Sequence, residues 1–313
     1  LSYKINLMSS YSIHPIDLEF NGYALVIFSF LIKTDDGPII VETGPHSCLD
    51  KLVEGLAQHG YTQEDVKHVF LTHIHLDHAG GAWCFAEHGA KVYVHPLGYK
   101  HLHDPSKLLA SAKMIYGKDM DRMWGTLKPI PADQFCVMED DESVEVNGLT
   151  IISHHTPGHA KHHTAWQLEN NLFTGDLAGI KHPEGAVIPP CPPPDINIDL
   201  WIENIEKVLS ISEVDTYYVT HGAKVKNVRA HMDSLKSALL SFSEFVKPYF
   251  DKDISPAEAL PEFASFVTEY LRDTGMSQDA IDTFVNGGAI MADLMGLMRH
   301  WKKKKEREDS SLA

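Results

Sequence analysis

The segment that most constrains this chain is Thr72-His73-Ile74-His75-Leu76-Asp77-His78-Ala79-Gly80-Gly81. Four side chains able to bind a metal fall within six residues, directly after the short, mostly apolar run 68–71. In an extended or loop segment alternate side chains project the same way, so His73 and His75 can share one ion while Asp77 and His78 face a second. Imidazole combined with carboxylate suits zinc, and also iron or manganese. A chain with 20 histidines can cluster some by accident. What tells against accident lies downstream. Thr156-Pro157-Gly158-His159 is a turn ending in an imidazole, Phe173-Thr174-Gly175-Asp176 puts a carboxylate just beyond a strand, and Val219-Thr220-His221-Gly222 does the same with a histidine. Each is weak alone; together, in this order, they complete seven ligands for two cations.

The surroundings alternate between strand and helix. Residues 23–33 are rich in β-branched and aromatic side chains, and Thr34-Asp35-Asp36-Gly37 turns them into a returning strand at 38–42. Leu49, Leu52, Val53 and Leu56 recur at helical spacing, closed by Gly60. Further strands are read at 68–71, Lys91–Val94, Ser143–Val146, 149–153, Thr164–Leu168, 171–174 and Thr216–Val219. This predicts an α/β protein of mixed sheets covered by helices, with its chemistry at strand ends. Beyond about residue 228 only helical patterns remain: Met232, Leu235, Leu239 and Phe242; a capping box at Ser255 and Glu258 leading to Phe263, Phe266, Tyr270 and Leu271; then Met291, Leu294, Met295 and Met298. The chain is accordingly divided into a catalytic domain over 1–228 and a helical C-terminal extension over 229–313, packed on it.

The order H-x-H-x-D-H, G-H, T-G-D and a late strand-end histidine resembles the metallo-β-lactamase superfamily, over roughly residues 20–225. The resemblance implies an αβ/βα sandwich of two mixed β-sheets flanked by helices, with the metals at one edge. It assigns His73, His75 and His159 to one metal, Asp77, His78 and His221 to the other, and Asp176 as the bridge. It further implies a binuclear hydrolase whose metal-bridging hydroxide attacks the substrate, with Asp77 as the catalytic residue that takes the proton and passes it to the leaving group. Zinc is the first choice for the two divalent ions, with iron or manganese as alternatives. One departure is Glu42 in Val41-Glu42-Thr43-Gly44, where most members carry Asp; that acid orients ligands by hydrogen bonds, which a longer side chain can also do. His162 and His163 are expected to support His159 in the same way, with a surface position as the alternative for His162.

Asp176 disfavours a true β-lactamase, because zinc β-lactamases use Cys there or lack a ligand. After Thr174-Gly175-Asp176 the chain reads Leu177-Ala178-Gly179-Ile180 rather than the Gly-Cys-Gly-Arg of glyoxalase II enzymes and persulfide dioxygenases. A net charge of −16 excludes a nucleic-acid surface, which needs clustered cations. What remains is a small-molecule substrate: a thioester, lactone or related ester. Alternatives are a phosphodiesterase, an iron-dependent oxidoreductase on the same fold, and a binding protein without catalysis.

A hydrophobic share of 43% supports a substantial core, and no run of 18 apolar residues reads as a membrane span. Cys48, Cys84, Cys136 and Cys191 form no C-x-x-C pair, and no signal peptide opens the chain at Leu1, so a cytoplasmic protein with reduced thiols is expected. Two methionine-bearing stretches, Met114, Met120 and Met123 with Trp124, and Met291, Met295 and Met298, read as core or a homodimer contact; the sharper reading is an adaptable surface for an acyl chain. The run Pro189-Pro190-Cys191-Pro192-Pro193-Pro194 reads as a rigid extended loop near the site, and the lysines at 302–305 as a solvated helix end.

Overall fold

The computed structural model describes residues 10–311, which carry two six-stranded β-sheets flanked by helices. Its contacts divide the chain into two units, one running through His154 with Trp166–Phe173 added, the other made of His155–Ala165 and the described residues from Thr174 onward.

The first unit holds one whole sheet. Strands β1 (Tyr11–Asp17), β2 (Phe28–Thr34) and β3 (Gly37–Val41) are antiparallel. Strands β4 (His68–Phe70), β5 (Lys91–Val94) and β6 (Phe135–Val137) follow parallel to β3, in the order β1-β2-β3-β4-β5-β6. Parallel strands need crossovers. Here they are α1 (Leu49–Gln58), the short α2 (Leu76–Ala79) with α3 (Ala82–Glu87), and α4 (Pro96–His103), α5 (Ser106–Tyr116) and α6 (Met120–Trp124). One apolar cluster joins Leu31, Ile40, Val69 and Val92 of the sheet to Leu52, Leu56, Phe85, Leu102, Met120 and Trp124 of those helices. The register pairs Val41 with Phe70, so the residues just past both strands, Glu42 and Leu71, emerge at the same level. Ligand-bearing loops at the carboxyl ends of parallel strands follow from that topology. This unit also holds β7 (Ser143–Val146) paired antiparallel with β8 (Leu149–His155), and β10 (Asn171–Phe173), which pairs antiparallel with β9 (Thr164–Leu168).

In the second unit β11 (Ile180–Lys181) and β12 (Val187–Ile188) form a ribbon, and β13 (Thr216–Val219) pairs antiparallel with β14 (Ala223–Val225). Five helices complete it: α7 (Ile198–Leu209), α8 (Val228–Asp251), α9 (Pro256–Asp273), α10 (Gln278–Asn286) and α11 (Ala289–Ser311). The capping box at Ser255 and Glu258 is present at the start of α9. Helix α8 packs on α7 and β12, and α11 packs on α8 and α9.

Several elements differ from the sequence reading. The strand expected over 23–33 starts only at Phe28, because Asn21 and Leu25 take positive φ and the Asp17 carboxylate accepts the N–H groups of Glu19 and Leu25, closing a turn. Strand β1 has no counterpart in the sequence reading; Pro15 at its centre argues against a strand, yet an edge position tolerates it. The methionines divide. Met120 and Trp124 are core, whereas Met114 is 82% exposed and Met295 42% exposed. Among the described residues no helix is long and apolar enough to cross a membrane, and all four cysteines are free.

Candidate functional site

The first unit contributes the His73 segment, which leaves the buried end of β4 with Leu71 O accepting the indole N–H of Trp166 at 3.0 Å. His73 Nε2 and His75 Nδ1 lie 3.0 Å apart, and the His73 and His78 rings are 4.0 Å apart between centroids. Asp77 Oδ2 stands 3.6 Å from His78 Nε2, with its side chain 24% exposed. The fully buried Glu42 organises this set. Its carboxylate accepts the N–H and the hydroxyl of Thr72, and takes the Nδ1–H of His78 at 3.1 Å. The Thr72 hydroxyl has one proton, committed to Glu42, so toward His73 Nδ1 at 3.1 Å it accepts. One carboxylate thus fixes two rings, His78 directly and His73 through Thr72. Both then carry the proton on Nδ1 and the lone pair on Nε2, the tautomer a ligand needs. Backbone bonds from Thr43 N to His78 O and from Gly81 N to Gly44 O lock α2 against the same turn.

The second unit contributes His159, Asp176 and His221. Asp176 is buried, with His159 Nε2 3.2 Å from its Oδ2 and His221 Nε2 3.4 Å from its Oδ1. His159 Nδ1 donates to Pro190 O at 2.9 Å, because a carbonyl can only accept. In the neutral ring Nε2 then carries a lone pair that faces a carboxylate oxygen. Two acceptors at that distance require a cation or a proton between them. The turn before His159 packs on α7: Asn197 N donates to Gly158 O, Asn204 Nδ2 to Pro157 O, and a Cβ at Gly158, whose φ is +155°, would meet Trp201 Cα at 2.4 Å. Trp201 stands edge-on to His159 at 5.4 Å and donates its indole N–H to Leu177 O, holding the Asp176 turn as well. From α8, His231 meets Ala178 O at 2.8 Å, and burial lowers its pKa, keeping that ring neutral. His221 is held at the end of β13, its carbonyl accepting Lys181 N at 2.7 Å. His163 Nδ1 engages Thr156 Oγ1 at 2.8 Å, and His162 is buried beside it.

Two donor atoms on one cation, imidazole nitrogen or carboxylate oxygen at about 2.0–2.2 Å, stand about 2.9–3.6 Å apart. The separations of 3.0, 3.2 and 3.4 Å within the two units match that spacing. The donor set, neutral imidazoles plus carboxylates, therefore fits divalent cations, and these histidines and aspartates could hold them. Cys191 fits no catalytic role: burial first, then the charges of Asp293 and Asp176, pushes its thiol well above the usual range. Burial also pushes the Asp293 carboxyl up to about 7, with the Cys191 N–H opposing and the Asp176 charge adding to the rise.

Sequence reasoning did not single out Thr72, Trp201, Asn204, His231 or Asp293. The one available signal was Asp293 itself, an acid between Ile290 and Leu294 on an otherwise apolar helical stripe.

Fold and donor set together define a metal-binding α/β protein. The sequence profile of the Metallo-beta-lactamase superfamily matches residues 22–221, and the chain belongs to that family. The metallo-beta-lactamase fold-containing protein ST1585 of Sulfurisphaera tokodaii is 31% identical over 153 residues, 47% of this chain and 58% of that protein. The crystal structure of the family protein TTHA1429 from Thermus thermophilus is similar in fold, with a TM-score of 0.68 at 19% identity over 94% of each chain. Further matches are an N-acyl homoserine lactonase of a Bacillus species and the atrochrysone carboxyl ACP thioesterase AgnL7 of Paecilomyces divaricatus. Their identities are 25% and 26%, over 46% and 64% of this chain. This chain spans 58%, 59% and 51% of the lengths of ST1585, the lactonase and the thioesterase.

Proposed function

We propose that the chain is a binuclear metal-dependent hydrolase of a thioester, lactone or related small ester, in which His73, His75, Asp77, His78, His159, Asp176 and His221 together hold two divalent cations, zinc first. The observation that carries the reading is Asp176, a buried carboxylate with an imidazole Nε2 at each oxygen. Family membership and the lactonase and thioesterase among the relatives support the same chemistry. In this reading residues 1–228 form the catalytic part and 229–313 the helical extension.

When bound, the cations supply Lewis acidity that polarises the scissile carbonyl and acidifies water. Glu42, through its contacts with His78 and Thr72, and Pro190, through His159, keep three rings in the ligating tautomer. Asp77, which unlike the buried Glu42 is part exposed, accepts the proton of the attacking water and returns it to the leaving group.

The test is metal analysis of chelator-free protein together with a panel of acyl thioesters, lactones and phosphodiesters. The expected result is two zinc or equivalent divalent ions per chain and turnover of thioesters or lactones, lost in His75→Ala and Asp176→Ala. Metal-loaded protein that turns over no panel member, or full activity in either variant, would refute it.

A further inference from the structure

We propose that Asp293, on the C-terminal helix α11, is a positioning residue for His159 and acts through the single peptide group that joins Pro190 to Cys191. This rests on His159 being a ligand. The N–H of that peptide group, on Cys191, donates to Asp293 Oδ1 at 2.6 Å. Its carbonyl, on Pro190, accepts the Nδ1–H of His159 at 2.9 Å. A peptide group is one delocalised unit. A carboxylate on its N–H raises the electron density on its oxygen, because hydrogen bonds in a chain polarise one another. The oxygen then holds the imidazole proton on Nδ1 more firmly, and Nε2 becomes a better electron-pair donor toward the Asp176 side.

The helix is built to hold this peptide group in place. One turn beyond Asp293, a Cβ at Gly296 would stand 1.8 Å from Cys191 O and 3.0 Å from the Pro192 carbonyl carbon, so only glycine lets the two backbones meet. Further along, Arg299 Nε donates to Pro194 O at 2.8 Å, and His300 Nδ1 accepts Ile198 N at 3.3 Å. Positions 293, 296, 299 and 300 fall on one helical face. That face grips residues 191–198 as a strip.

Simple anchoring of the loop does not account for the acid. An amide at 293 would accept the Cys191 N–H in the same geometry without placing a carboxylate where only 6% of the residue is exposed. Among the described residues the Asp293 carboxylate has one hydrogen-bond partner and no ion pair. A carboxylate retained there is accounted for by what its charge does to the peptide group.

The experiment uses the full chain with ¹⁵N-labelled histidine at pH 8, metal-free and then titrated with zinc against a chromophoric chelator. His159→Ala assigns the ring signals. The metal-free wild type should show a protected, downfield Nδ1 proton on His159. Asp293→Asn, which keeps the shape and the hydrogen bond but not the charge, should move that proton upfield and weaken zinc binding about 10–100-fold. Gly296→Ala, which keeps the acid but displaces the strip, should do the same, and covers the case in which the first variant fails to fold. An unchanged His159 signal and unchanged zinc affinity in Asp293→Asn would overturn the proposal. Wild-type protein that binds no zinc would refute the hydrolase reading and with it the ligand on which this proposal rests, whereas wild-type zinc binding that Asp293→Asn leaves unchanged would overturn this proposal alone.

Discussion

Replacing Glu42 by glutamine tests how far one buried acid governs the first unit's imidazoles. The substitution keeps volume and two acceptor contacts, to the Thr72 hydroxyl and His78 Nδ1, but turns both from charge-assisted to neutral. It also sets an amide N–H₂ against the Thr72 N–H, a contact of 3.4 Å in the wild type. Charged hydrogen bonds contribute about 1.5–3 kcal/mol and neutral ones about 0.5–1.5, so two weakened bonds amount to about 2–3 kcal/mol. Loss of a group that orients a ligand lowers metal affinity about 10–100-fold, or about 1.4–2.7 kcal/mol, so the two routes agree. Glu42→Asp should fall further. It withdraws the carboxyl by about 1.5 Å, beyond reach of a ring now at 3.1 Å. That loss outweighs the few tenths of a kcal/mol that aspartate gains at the positive φ of 64°. The assay is zinc competition against a chromophoric chelator, with thermal unfolding of the metal-free protein alongside. Zinc affinity within twofold of wild type in Glu42→Gln, with unmoved His73 and His78 ring signals, would refute the reasoning.

Three further outcomes follow from the packing. His300 is buried and its pKa is lowered to about 4, chiefly by desolvation, with Lys304 and Arg307 lowering it further and Asp199 opposing. The unfolded chain takes up that proton near the ordinary imidazole pKa of about 6.5, so this stabilisation is complete above about pH 6.5 and is lost as pH falls toward 4. Its ceiling is about 3 kcal/mol. The urea-unfolding free energy of the wild type relative to His300→Gln should therefore be lower at pH 5 than at pH 7 by about 2 kcal/mol; parallel pH profiles would count against it. Trp201→Ala empties a fully buried site and removes the bond to Leu177 O, and should cost about 3–5 kcal/mol by denaturant titration; a loss under 1 kcal/mol would contradict the packing. Met114→Ser, at a side chain 82% exposed, should change stability by less than about 0.5 kcal/mol, and a larger drop would reveal a contact that the isolated chain does not make.

The parts of this protein legible in its sequence are those where chemistry or periodicity is local. The His73 segment announces itself because four ligand types crowd one loop, and the strands at Lys91–Val94, Ser143–Val146, Thr164–Leu168 and Thr216–Val219 fall within their expected bounds. Strand β1 is illegible because only its edge position excuses Pro15, and position in a sheet is not a local property. The residues that set ring tautomers are hidden for a similar reason. Thr72 looks like any strand-end threonine, and Pro190 contributes its carbonyl, which every residue has. Asp293 lies 117 positions after Asp176, and only the fold brings its helix to the Cys191 amide. Glu42 is legible as a ligand-orienting acid only through the family pattern; its hold on His73 runs through a neighbour's hydroxyl, which no motif encodes.

Strand β1 also has a bearing on how the protein behaves at high concentration. Among the described residues its outer side pairs with no further strand, so amide and carbonyl groups there can recruit a strand from another copy. Proline at 15 carries no N–H and leaves a gap on that side, which discourages stacking of chains into fibrils. Pro15→Val should therefore be tolerated by the fold and penalised in solution, as a rise in light scattering on standing.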